Sequence, residues 1–416
     1  MFTNGLDYSG MPETPGNRRF RPDQEHDMKE FSMIKMTGIV HAVCRILAVG
    51  LSGIGLNAFC QDNLPNLDVP FEPTHPKVVD TMIELARIQK GDILYDLGCG
   101  DGRIPVAAAK QYGIRAVGID IDPQRIREAN ENAELAGVTG LVDFVIDDIM
   151  NYDFSDATVV TLYLLDHINV ELRPHLIRQL QPGTRVISHA FHMDYWEPDS
   201  IVTHPKARKK KIYCWIIPAK VGGEWLWDTE LPAGASTWHL TLNQEFQGVV
   251  YDLHVSNDGL TARGGAVLRG REISLNTAYT VNNRQVQIHF QGLVHGDVIE
   301  GTQEWRYEKV ITTLPWKAKR RPVHAAGVWR GKMQDRDHRF SDFTLRIQPG
   351  GNGMNHWLFQ DRNNQYDDFP YYQWGASIWF EVNGSVYKGF IDNDMIEGYI
   401  LSDENTHGVK WAASRH

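Results

Sequence analysis

The chain is short of cysteine, of positive charge and of long apolar runs. Its four cysteines in 416 residues, Cys44, Cys60, Cys99 and Cys214, follow no metal-ligand spacing and imply no disulfide framework. A formal net charge of −10 argues against a general nucleic-acid binder, whose surface is more often basic, so no nucleic-acid partner is expected. The apolar run Ile46 to Phe59 has 14 residues, too few for a comfortable membrane span, which needs about 20. What remains is an ordinary globular composition, 42% apolar and 23% charged, long enough for two or three domains.

Residues 1–60 read as a polar, aperiodic N-terminus followed by a signal-like leader. Met28, Met33 and Met36 are alternative starts. Lys35 and Arg45 precede the apolar run, and Ala58-Phe59-Cys60 puts small residues at −3 and −1 before Gln61. Three readings stand: a cleaved signal peptide, a retained anchor giving membrane association, and a buried or interfacial helix. Positive charge ahead of the run predicts translocation of the downstream chain.

The densest signal is Tyr95-Asp96-Leu97-Gly98-Cys99-Gly100-Asp101-Gly102-Arg103. An apolar strand, Gly91 to Leu94, precedes it, and an Ala-rich helix, Ile104 to Gln111, comes after it. Strand, glycine turn and helix open a βαβ unit. The glycines permit a tight turn and close approach of a ligand to the backbone. The second strand, Ala116 to Asp120, ends on an acid 20 residues after Gly100, where a carboxylate accepts hydrogen bonds from a ribose diol. Asp122-Pro123 reads as N-cap and first residue of the next helix. Two cofactor classes fit, a dinucleotide or S-adenosylmethionine (SAM). The third glycine comes one residue early for a dinucleotide loop, and Asp101 inside the loop suits a cation better than a pyrophosphate.

Asp96 to Gly102, Gly118 to Pro123 and Phe144 to Asp148 resemble the first three motifs of a class I SAM-dependent methyltransferase, over roughly residues 68–218. Val69 to Thr74, Gly100 to Ile104 and Val186 to Trp196 bring the resemblance closer to the seven-strand protein-lysine methyltransferases related to the mitochondrial ATP-synthase c-subunit and adenine-nucleotide-translocase enzymes, and their bacterial cousins. The resemblance implies a Rossmann-like seven-stranded α/β domain with SAM as cofactor. Asp96, Gly98, Gly100 and Asp101 would hold the methionine end, Asp120 the ribose, and Asp148 the adenine amino group, with Asp147 as the alternative. Phe71-Glu72-Pro73-Thr74 would lie over the active site, which makes Glu72 a catalytic candidate. The acceptor implied is a protein lysine. A small-molecule methyltransferase is the alternative, and an exported binding protein on a methyltransferase scaffold is a third reading. Localisation stays open, because the leader points to export or membrane tethering while SAM is a cytoplasmic metabolite.

Thr74 is expected to cap a helix from Pro76 to Ile88, with Val78, Val79, Met82, Ile83 and Leu85 on its apolar face. Strands are expected at Val142 to Ile146, Thr158 to Leu164 and Arg185 to His189, with a closing hairpin from Ile201 to Thr203 and Lys211 to Ile217. Leu165-Asp166-His167 comes directly after the fourth strand, at the sheet end where open α/β folds bind ligands. An amine nucleophile must lose a proton before it attacks a methyl carbon, so Asp166 and His167 are candidate catalytic residues. The resembling enzymes often carry proline near Asp166. The basic run Lys206 to Lys211 reads as a solvated turn or as a surface for an acidic or phosphate-rich partner.

The expected domains are 61–221 for the methyltransferase, 222–321 for a first β repeat and 322–416 for a second. Beyond Gly222 alternation replaces helical periods, and tryptophans accumulate as in antiparallel β structure. Gly292 to Gly301 matches Gly389 to Gly398; each is followed by Trp-x-Ala-x-Arg, and each unit opens with Gly-x-Trp, at Gly223 and Gly327. Paired sandwiches or small barrels are expected. No metal site is assigned. Asp361, Asp367 and Asp368 near Asn363 and Asn364 read as a polar loop, with Ca²⁺ the alternative. Tyr371-Tyr372-Gln373-Trp374 reads as core, with partner or glycan binding the alternative. No oligomeric state can be read from the sequence.

Overall fold

The computed structural model describes residues 70–416 except 209–210, 232–233, 257–258, 282–283, 335–339, 350–354, 362–363, 367–368, 370, 383–384 and 403–404. The leader, Val69, Asn363, Asp367 and Asp368 lie outside the described residues. No described helix is long and apolar enough to cross a membrane.

Seven strands form a mixed sheet. The five parallel strands are β1 (Ile93–Leu97), β2 (Arg115–Asp120), β3 (Val142–Ile146), β4 (Val159–Leu162) and β5 (Arg185–His189), joined by β6 (Ser200–Thr203) and β7 (Lys211–Ile216). The order is β3-β2-β1-β4-β5-β7-β6, with β7 antiparallel to both its neighbours. All four residues of β4 are buried, as a β-branched strand covered on both faces requires. The described helices are α1 (Pro76–Ala86), α2 (Arg103–Tyr112), α3 (Pro123–Ala136) and α4 (Asp166–Gln179). Strand order reverses between β1 and β4, so their carboxyl ends open the crevice in which such sheets bind ligands.

One cap differs from expectation. His75, not Thr74, is the N-cap of α1, and its Nδ1 accepts from the Lys77 amide at 3.2 Å. Pro76 explains this: it holds the residue before it in the extended conformation that an N-cap needs. Thr74 is buried and turns its hydroxyl to Nδ1 of His189, 3.3 Å away.

Residues 223–320 form a closed antiparallel barrel of eight strands in up-and-down order. Its last strand, Val310–Arg320, returns to the first, Gly223–Leu231, through Lys319–Leu226 and Arg320–Trp225 pairing. Closure removes every exposed edge. Residues 327–415 form a nine-stranded sheet whose two edge strands, Gln365–Tyr366 and Tyr371–Trp374, are consecutive in sequence. The motifs common to both regions take the same positions in each. Gly292 pairs with Gly301 and Gly389 with Gly398, and Trp316 and Trp411 pair with the second glycine of each couple. A Cβ on Gly301 would come 2.0 Å from the Gln291 carbonyl, and one on Gly398 1.9 Å from that of Lys388. Trp225 donates to the Val221 carbonyl and Trp329 to that of Ala325, both at 2.8 Å. Arg320 covers Trp225 and Arg415 covers Trp329.

Arg173 of α4, 1% exposed, ties the sheets together. Its guanidinium donates to the Tyr372 hydroxyl at 2.7 Å, and to the Met193 carbonyl and the Tyr195 hydroxyl at 2.8 Å each. It lies 4.2 Å from the Tyr195 ring centre and about 5.9 Å from those of Phe246 and Trp379. A planar, always-charged group with five donors is what so aromatic a site can hold without an acid. Tyr372 and Trp374 are each 1% exposed, so the Tyr371–Trp374 motif packs rather than projects. Replacing Arg173 with Met leaves three acceptors without their donor and is expected to cost about 3 kcal/mol, against about 1 kcal/mol for Tyr372→Phe. Urea denaturation of the full chain measures both, and equal small losses would contradict the assignment of this contact.

Candidate active site

A cavity of about 390 Å³ opens at the carboxyl ends of β1 and β4. Glycine shapes its floor. Gly98 and Gly100 hold φ of +80° and +53°, and a Cβ there would meet Leu164 at 2.7 Å and Phe71 at 2.5 Å. Any side chain would therefore both strain the backbone and fill the crevice. The amides of Gly98 and Cys99 both donate to the Ile119 carbonyl at 2.9 Å, which locks the loop against β2.

Three acids stand around this loop in different states. Asp120 accepts from the Gly100 amide at 2.8 Å and the Asp122 amide at 2.9 Å, one on each oxygen. That fixes its orientation and leaves further lone pairs for a diol. Burial raises its pKa above the ordinary value. Asp96 is 2% exposed and accepts from the Thr161 hydroxyl at 2.7 Å. Burial, reinforced by Asp120 and Asp101, pushes its pKa up to about 7. A buried carboxyl of that kind is relieved by a cation beside it. Asp101 is spent differently from expectation: Arg103 grips it in a two-point pair at 2.8 and 2.5 Å while donating to the Thr74 carbonyl at 2.7 Å. Asp148 lines the cavity, but its carboxylate accepts from the Met150 amide and the Asn151 side chain at 2.9 and 2.8 Å. Asp147 lines it too and accepts from the Asp148 amide at 2.8 Å.

The opposite wall is built from Phe71, Glu72, Tyr163, Leu164, Ile168 and Glu171. Phe71 lies under the Arg125 guanidinium, 4.4 Å from ring centre to Cζ. Glu72 forms an ion pair with Arg208, and the Tyr163 hydroxyl lies near both. Tyr163 stacks on His189 with centroids 4.0 Å apart. His189 is 2% exposed, and its Nε2 accepts from the Arg208 amide at 2.9 Å. That bond puts the ring proton on Nδ1, facing Thr74. Burial, then the charge of Arg208, lowers its pKa to about 4. It is a neutral brace between the two lips of the cavity, not a base.

The structure therefore gathers Glu72, Asp96, Gly98, Gly100, Asp101, Asp120 and Asp148 around one cavity. Asp166 and His167 do not line it. Asp166 sits in the first turn of α4 and accepts from the His192 amide at 3.1 Å, and His167 is exposed. Tyr163 and Glu171 line the cavity instead. Glu171 carries a sequence signal, because residues 168 and 171 lie three apart on one face of a helix that begins at 166; Tyr163 carries none.

Asp96 supplies a pH test. Its carboxyl stays protonated up to about 7 in the fold but only to about 3.8 in the unfolded chain. Between those values the native state binds more protons, so this group's contribution to stability falls as pH rises. Asp96→Asn removes the dependence. The ligand-free variant is expected to gain on the order of 3 kcal/mol relative to wild type between pH 4.5 and 7.5. Thermal melts across that range measure it, and parallel curves would refute the burial argument.

Comparison with known proteins places this geometry. Residues 96–200 match the ANTKMT methyltransferase domain family. A protein-lysine N-methyltransferase of Saccharolobus islandicus is 48% identical over 135 residues, 32% of this chain and 84% of that protein. The human lysine N-methyltransferase of the ATP synthase c-subunit is 32% identical over 34% of this chain and 60% of its own length. The mouse adenine nucleotide translocase lysine N-methyltransferase is 32% identical over 33% and 59%. The chain thus spans less than two thirds of these mammalian relatives. A crystal structure of an RNA methyltransferase from Salinibacter ruber with S-adenosyl-L-homocysteine is 49% identical over 36% of this chain and 96% of its own, with a TM-score of 0.35. The glycine cradle, the diol-ready Asp120 and the buried Asp96 fit SAM, the methyl donor of this enzyme. The chain belongs to the ANTKMT-type methyltransferase family, beside the archaeal protein-lysine N-methyltransferase.

Proposed function

We propose that this protein transfers the methyl group of SAM to the side-chain amine of a protein lysine. The observation that carries the reading is one cavity with a glycine-and-acid cradle on one wall and a Tyr163–Glu72–Arg208 cluster on the other. Asp96 holds the ammonium of the methionine moiety, Asp120 the ribose, and Ile121 and Ile149 flank the adenine near Asp148. When bound, SAM supplies a methyl carbon made electrophilic by its sulfonium sulfur.

The chain's own part is positional and electrostatic. Phe71, over Gly100, closes the crevice and excludes water. Arg103 ties the loop after β1 to Thr74 at the end of the covering segment. A lysine entering along the aliphatic Leu164 and Ile168 sheds water from its amine, which favours the neutral, nucleophilic form. Glu171 makes no hydrogen bond or ion pair among the described residues and meets the incoming ammonium at the mouth. The Tyr163 hydroxyl, near Glu72 and Arg208, accepts a hydrogen bond from the amine and orients its lone pair. The proton leaves to solvent past the Glu72 carboxylate.

The two β regions are read as copies of one unit, the second opened between its two edge strands. They serve as a platform for the acceptor protein. Membrane association through the leader and the oligomeric state enter no step of this reading.

Methyl-labelled SAM incubated with the protein and with soluble, membrane and small-molecule fractions of the source cell tests the reading. Label released as methyl-lysine from a protein band is the expected result, and label confined to small molecules or RNA would overturn it. Two variants divide the site. Asp120→Ala is expected to weaken SAM binding about a hundredfold by calorimetry, since it loses charge-assisted contacts. Tyr163→Phe is expected to lower kcat about tenfold with SAM affinity unchanged.

A further inference from the structure

Next to Glu72 and Thr74 of the cavity lining stands a cationic lip that the reaction does not use. Lys206 places its Nζ 3.2 Å from Nε2 of His75, an ammonium against an imidazole rather than an acid. Lys77 lies two residues after His75, and its amide donates to Nδ1 of the same ring. Desolvation and the charges of Lys206, His204 and Lys77 together hold the His75 pKa below its ordinary value. Among the described residues neither Lys77 nor Lys206 forms an ion pair. Of the nearby acids, Glu72 is taken by Arg208, and Asp80 accepts from Gln111.

The lip is also preformed. Ala207 is 5% exposed and its amide donates to the His204 carbonyl at 3.0 Å. The next amide, that of Arg208, is held by His189. Lys206 therefore stands on a turn pinned from inside, and little ordering is needed to present it. Glu72 and Thr74 line the cavity directly beside this turn.

We propose that Lys77 and Lys206 dock an acidic stretch of the acceptor polypeptide next to its target lysine, an inference that rests on the protein-lysine reading above. The opposite rim favours a polypeptide over a phosphate backbone. Asp147, Asp148 and Glu171 line the same cavity, so a polyanion of one sign would meet repulsion within one cavity width. A peptide that offers lysine to the acidic rim and glutamate to the basic lip satisfies both.

Two peptides test this with the full chain, each with one central lysine, flanked on both sides by glutamates in one and glutamines in the other. KM for the glutamate peptide is expected to be about tenfold lower. In the double variant Lys77→Glu, Lys206→Glu that advantage disappears, while SAM affinity and the KM of the glutamine peptide stay within twofold. Equal KM values in the wild type, or equal losses for both peptides in the variant, overturn the proposal. If neither peptide is methylated, fluorescein-labelled copies are titrated by anisotropy against protein saturated with S-adenosyl-L-homocysteine. A glutamate preference lost in the variant then upholds the lip although the lysine reading fails, and no preference overturns it. Tight binding of a single-stranded RNA oligonucleotide, abolished by the same variant and without glutamate-peptide binding, overturns it in favour of a nucleic-acid surface.

Discussion

The reversal of strand order between β1 and β4 is the constraint on which the site depends. Adjacent parallel strands whose connections leave in opposite directions cannot be covered at their carboxyl ends, so a crevice opens there. Gly98 and Gly100 keep it open and Phe71 roofs it. The acids follow from place: Asp96 lies within β1, Asp120 ends β2, and Asp147 and Asp148 come just after β3. Burial of Asp96 and Asp120, and the repulsion of Asp96 by Asp120 and Asp101, cost free energy in the empty protein, and a cationic methyl donor relieves it. Binding and chemistry thus draw on the same stored electrostatic tension.

The helix α4 joins that crevice to the rest of the molecule. Ile168 and Glu171 in its first turns face the cavity, and Arg173 just beyond them is locked among Tyr195, Tyr372 and Met193. Phe246 of the barrel and Trp379 of the nine-stranded sheet complete the packing around the same guanidinium. The acceptor wall is accordingly set by β structure far away in sequence.

Much of this is legible in the sequence. The glycine-and-acid motifs identify the methyl-donor side because their spacing reflects backbone geometry within one βαβ unit. Strand β3 and strand β5 end where alternation and turn residues put them. The matched Gly292–Gly301 and Gly389–Gly398 stretches are visible because close strand approach there admits only glycine, and Trp316 and Trp411 of the Trp-x-Ala-x-Arg motifs pack against that approach. The acceptor wall is not legible to the same depth. Choosing Tyr163 over Asp166 and His167 requires knowing that β4 stops at Leu162 and that α4 starts at Asp166, since a shift of one residue turns a side chain to another face. The cap at His75 is hidden by the greater general preference for threonine, although Pro76 favours the residue just before it. Asp101 reads as a free anion because its pairing with Arg103 depends on where the helix begins.

The open seam of the nine-stranded sheet has a practical side. Strand Tyr371–Trp374 pairs with strand Ser377–Val382 at one end of the sheet, and α4 lies against it through Tyr371 and Tyr372, with Arg178 over the one ring and Arg173 bonded to the other. An aromatic-rich edge strand stripped of such cover is a template for self-association. Severed from the first half, the β region would lose this cover and tend to precipitate as paired edges.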